Sequence, residues 1–140
     1  SKIIYERLKM IYSAKLKKMD ETIEEFAYFS IENNDLYCFL NCCPMAIEVN
    51  KVYNVELDYF IIDEFILEEV NTDESVIIPF ERIGDSTQYK ITGRLDGNTF
   101  TAGNICFEDD ALQLEYSYLD GRLITLTVWR LSISVISERI

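Results

Sequence analysis

At the start of the chain, apolar positions recur at three- and four-residue steps. Over residues 2–18, Ile4, Tyr5, Leu8, Ile11, Tyr12 and Leu16 share one face when the segment is wound as a helix. Lys2, Lys9, Lys17 and Lys18 fall mostly on other faces, so the spacing predicts an amphipathic helix that docks its apolar stripe on the body of the fold. Asp20 is placed to cap a second helix through ETIEEFAYFSIE, whose first turn is acidic where the helix dipole favours negative charge. The NND at 33–35 is a stop or turn, and LYCFLNCCP then reads as a strand that Pro44 ends.

From Val49 onward the pattern is that of β-strands. YNVELDYFII and EFILEEV are rich in branched and aromatic residues, with a bend expected near Asp63 and Glu64. In YKITGRLDGNTFTAGNICFE, a two-residue loop at Asp96-Gly97 or Gly97-Asn98 puts Tyr89, Ile91 and Leu95 on one face with Phe100, Ala102 and Cys106. A second hairpin is expected in LQLEYSYLDGRLITLTVWRLSISVI, turning at Asp120-Gly121 and setting Leu112, Leu114, Tyr116 and Tyr118 beside Leu123, Thr125, Thr127 and Trp129. The opposite face of the second arm carries Ile124, Leu126 and Val128, so this strand is covered on both sides. The expected fold is therefore α+β in a single domain over 1–140. One or two N-terminal helices (1–33) pack on a curved antiparallel sheet or small β-barrel built from hairpins (36–140).

Composition supports a globular chain, since 49% of its residues are apolar and that is enough for a core. No apolar run reaches the roughly 18 residues of a membrane helix, and the charged N-terminus does not read as a secretory signal. The chain is accordingly expected to be cytoplasmic, with no membrane partner. Charge changes the picture more. The net charge is −12, yet residues 1–18 hold six basic residues against Glu6, leaving +5 there and −17 on the rest. An acidic body repels a phosphate backbone and draws in a basic protein surface, so nucleic acid is not the expected partner and a basic protein is.

The chemistry available is narrow. There is no histidine, which removes the commonest general base and metal ligand, and no Gly-rich phosphate loop occurs. Cys38, Cys42 and Cys43 crowd together, but adjacent Cys42 and Cys43 point apart in a strand, and no C-x-x-C spacing joins them to Cys106. They read as reduced structural thiols, with Cys38 and Cys42 on the face of Leu36 and Leu40. No metal, cofactor or catalytic residue is expected. The carboxylates interleaved with aromatics are the partner-binding candidates: Asp58, Tyr59, Asp63, Glu64, Glu68, Glu69, Asp73 and Glu74, joined by Glu108, Asp109 and Asp110 if both stretches share one rim. A small, acidic, catalytically bare chain of this profile is similar to bacterial immunity proteins that neutralise basic nuclease toxins. That resemblance implies an acidic face that mimics phosphates or covers a neighbouring exosite. The alternatives are a small β-barrel binding module or scaffold for nucleic acid or a small apolar ligand, and a carboxylate-based hydrolase.

Overall fold

The structure is a computed structural model and describes residues 10–140. Its strands, in chain order, are β1 (Tyr12–Met19), β2 (Phe26–Ile31), β3 (Asn34–Cys42), β4 (Val52–Phe60), β5 (Ile66–Glu69), β6 (Phe80–Arg82), β7 (Tyr89–Asp96), β8 (Thr99–Ala102), β9 (Ile105–Glu108), β10 (Leu123–Val128) and β11 (Arg130–Glu138). Between β9 and β10 lies a single short helix, α1 (Asp110–Glu115).

The α+β expectation is overturned: strands take 53% of the described residues and helical turns 9%, and among those residues no helical layer covers the sheets. The helix expected over 2–18 lies outside the described residues up to position 9, and from Tyr12 onward the chain is strand β1. Tyr12, Ala14 and Leu16 point inward while Lys15 and Lys17 are exposed, which is a two-residue period. A bulge between Leu16 and Lys18 turns both Lys17 and Lys18 to solvent. The second expected helix is also absent. The Asp20 carboxylate does accept from the amides of Thr22 and Ile23, both at 2.8 Å, but the turn leads into β2. The β2–β3 hairpin closes through Glu32 and Asn33, both at positive φ (48° and 64°), as a tight primed turn requires.

β1, β2, β3, β11 and β4 close into a barrel in that order, and β4 pairs back onto β1. All neighbours are antiparallel except β3 and β11. Counted within the barrel alone the order is 1-2-3-5-4, the connectivity of an OB-fold barrel. The barrel is filled by side chains such as Leu16, Phe29, Ile31, Leu36, Val55 and Ile133, all shielded from solvent, each contributing about 1.5–3 kcal/mol by burial.

Residues 61–129, inserted between the fourth and fifth barrel strands, form a second antiparallel sheet, β5-β10-β7-β8-β9. Along one edge β7 pairs with β10, and its other edge is shared by β6, opposite Tyr89–Ile91, and β8, opposite Arg94–Asp96. The β7–β8 loop is Gly97-Asn98, with Gly97 at φ 61°. A further tight turn at Gly103-Asn104 restarts the alternation, so Ile105 and Phe107 face inward and Cys106 does not join Phe100 and Ala102. The hairpin expected at Asp120-Gly121 does not form. Residues 110–119 are α1 and a 3-10 turn instead, because the Asp109 carboxylate accepts from the amide of Leu112 at 3.0 Å and caps a helix. β10 pairs with β7 and β5, while β11 returns to the barrel; Trp129 marks the break, its amide donating to the carbonyl of Phe60 at 2.8 Å.

One continuous hydrophobic cluster runs through both sheets, and tyrosines fasten them. The Tyr12 phenol accepts from the Cys106 amide at 2.8 Å, and the Tyr89 phenol accepts from the Tyr37 amide at 2.8 Å. Arg82 of β6 lies over the Tyr37 ring at 4.0 Å, and Arg130 over Phe39 at 3.8 Å.

Candidate functional site

The eleven sequence candidates divide into structural and surface groups. Tyr59 points inward against Phe107, with ring centroids 4.9 Å apart, and its hydroxyl donates to Asp109 at 2.6 Å. Burial raises the Tyr59 phenol above its ordinary value, and the bond to Asp109 adds to this. Both residues are therefore part of the frame rather than an open surface. The Asp73 carboxylate caps the 3-10 turn Glu74–Val76 by accepting from Ser75, which lowers its pKa. Glu69 pairs with Arg122 at 3.5 Å and Glu74 pairs with Arg94, so both lie away from the loop after β4. Asn98 donates to Glu108 at 3.3 Å and to Asp110 at 3.1 Å, holding the start of α1. Asp58 lies on the outer face of β4.

Asp63, Glu64 and Glu68 remain as an exposed acidic run, and no described side chain forms an ion pair with them. Asp63 sits at φ 66°, a left-handed conformation that sharply turns the loop between β4 and β5. The loop packs beside α1: Phe65 meets Tyr116 edge-on at 5.9 Å, and Asp63, Glu64, Leu114 and Glu115 line one cleft. So the structure brings 61–66 together with α1, while Glu74 lines a different cleft beside Arg94. Sequence reasoning missed the apolar half of this surface. Leu114 is 82% exposed, Tyr118 73%, Ile66 64% and Trp129 46%, each of them outside the core.

A family model matches residues 10–136. The chain belongs to that family, described as uncharacterised conserved protein UCP019853. No curated protein and no solved structure matches the chain. The UCP019853 match opens just before β1 and ends inside β11, so the family unit takes in the barrel, the inserted sheet and the acidic loop together.

Among the described residues, no three Cys, Asp or Glu side chains converge to hold a metal ion, and no helix is long and apolar enough to cross a membrane. Cys38, Cys42, Cys43 and Cys106 are all free thiols. Cys38 is buried in the barrel, where burial pushes its thiol up. Cys42, expected on the same face, is exposed at the strand's end.

The tyrosine fastenings carry a pH prediction. Burial, with help from the Asp20 carboxylate, pushes the Tyr37 phenol from 10.0 up to about 12, and burial also raises Tyr12 and Tyr89. A raised phenol favours the fold while it is neutral. This stability is whole below pH 10 and is lost as pH rises through about 12. Urea midpoints measured from neutral pH to pH 12 should fall more steeply for the wild type than for Tyr37→Phe. Parallel curves would show that the neutral Tyr37 phenol and its bond to Asp20 contribute nothing to stability.

Proposed function

We propose that this protein is a non-enzymatic, acidic protein-binding domain that recognises a basic protein. In its most specific form it is an immunity or inhibitor protein that masks a basic toxin such as a nuclease. Four free thiols fit a reducing, cytoplasmic setting. The reading rests on one observation: Ile62, Ile66, Leu114 and Tyr118 are exposed among Asp63, Glu64 and Glu68 on adjoining elements. Exposed aromatic and aliphatic side chains supply burial on association, and carboxylates beside them set orientation and on-rate.

The barrel face that OB-folds present to single strands, on β2 and β3, argues against nucleic acid as the ligand. Phe26 stacks on Tyr37 at 4.9 Å and Arg82 lies over the Tyr37 ring itself, so Tyr37 is only 4% exposed and these rings are spent internally.

The test is kinetic. With a cationic nuclease domain as partner, association should slow roughly 10-fold or more as salt rises or when Asp63, Glu64 and Glu68 are all changed to Lys. Catalysis by the nuclease should fall in proportion to bound chain. An on-rate indifferent to salt and to the triple variant counts against the proposal.

A further inference from the structure

The loop after β4 is shaped as a ridge between two clefts. Asp63 and Glu64 line both of them, as does Ile61. On one side a cleft of about 200 Å³ is walled by Ile62, Ile66 and Trp129. On the other a cleft of about 460 Å³ is walled by Phe65, Ala111 and Leu114, with Glu115 at its rim. Each cleft thus joins an apolar wall to the same pair of carboxylates. Asp63 turns the loop sharply at this ridge in a left-handed conformation, which Asp adopts more readily than most non-glycine residues.

Few chemical groups satisfy both halves of such a cleft. An aliphatic side chain leaves the carboxylates facing it unpaired, and an ammonium ion alone leaves the apolar wall wet. A lysine or arginine side chain satisfies both, because its stem lies along apolar surface while its head reaches the carboxylates. Trp129 offers the ring that attracts such a cation best. A second copy of this chain is opposed by its own net charge of −12.

We infer that the Asp63–Glu64 ridge seats two basic side chains of one partner surface, one in each cleft. The inference rests on the protein-binding reading and gives it a contact chemistry: paired Arg or Lys side chains, with their stems against Trp129 on one side and Leu114 on the other.

The test uses the full chain labelled with 15N and titrated to millimolar N-acetyl-Arg-Ala-Arg-amide. Amide shifts should concentrate at 61–66 and 111–115 and at the Trp129 indole, and should shrink with salt. Asp63→Lys with Glu64→Lys should abolish them. Trp129→Ala and Leu114→Ala should each silence one cluster of shifts and leave the other. Salt-sensitive shifts centred elsewhere, or unchanged by the double variant, overturn the ridge and leave the basic-partner reading standing. Absence of shifts anywhere, together with no salt-dependent association with a cationic nuclease, overturns both. The same shifts on raising protein concentration without peptide assign the surface to a second copy of the chain, and the inference fails.

Discussion

Gly93→Ala is expected to lower stability by about 3 kcal/mol, the upper part of the range for overpacking a core. A Cβ at Gly93 lies 2.3 Å from the carbonyl oxygen of Thr101, 2.7 Å from its carbon and 2.9 Å from the Cα of Ala102. All three are backbone atoms, so no side chain can swing aside. The position is where β7 hands its edge from β6 to β8, and β8 passes closely there. β7 also pairs with β10, whose far edge carries β5 and the acidic loop's return. A shift at Gly93 therefore spreads through most of the second sheet. Urea denaturation followed by far-UV circular dichroism checks this, with Thr92→Ala as the local comparison. That variant removes the γ-methyl and a hydroxyl paired with Thr125 at 2.7 Å, without any new backbone contact, and should cost about 1 kcal/mol. Equal midpoints for Gly93→Ala and wild type would show that β8 does not cross so near.

The strands in β3, β4, β7 and β8 are legible because alternation and turn chemistry are local signals. The N-terminal strands are not, for a physical reason. Tyr12 and Leu16 are four apart, a spacing that shares a face in both a helix and a strand, and Ala14 between them favours neither. In β2 both Phe26 and Ala27 are buried, one under the Tyr37 cluster outside the barrel and one inside it, so strict alternation is lost. Asp20 makes the amide bonds of a helix cap without a helix, because the same side-chain geometry closes a lone turn. Partner choice is less legible still. LITLTV and RLSISVI look like one strand, yet they serve different sheets on either side of Trp129. DDALQLE, by contrast, did carry a helix signal: a capping Asp followed by good helix formers.

The candidate surface was half legible. Charge can be read from sequence, so the acidic run at 63–68 stood out. Whether a carboxylate is engaged cannot be read so easily, since Glu69 and Glu74 find Arg122 and Arg94 from distant segments. The apolar walls come from Leu114 and Trp129, remote in sequence from the loop they flank. In a hairpin reading both residues face a core. Only the helix at 110–115 and the strand break at 129 bring them to the surface.

Asp109→Ala is the second large effect, also about 3 kcal/mol, and it comes from two losses at one side chain. One carboxylate oxygen accepts from the Leu112 amide at 3.0 Å and caps α1. The other accepts from the Tyr59 phenol at 2.6 Å. Loss of a cap costs about 1 kcal/mol, and a part-buried phenol left without a partner adds about 1–3 kcal/mol. Tyr59→Phe removes the phenol together with its need for a partner, so it should cost only about 1 kcal/mol. In the Tyr59→Phe background, Asp109→Ala should then cost only the cap. The double-mutant cycle should therefore show coupling of about 1–2 kcal/mol between the two sites. Additive losses would mean that the phenol finds another partner, and that α1 is held to the barrel by packing of Leu112 alone. Coupling would establish that one carboxylate ties the inserted sheet's helix to β4, just before the chain enters the acidic loop. In that case Asp109→Ala should also loosen the cleft beside Leu114, and hydrogen exchange at 111–115 should quicken while the barrel amides stay protected.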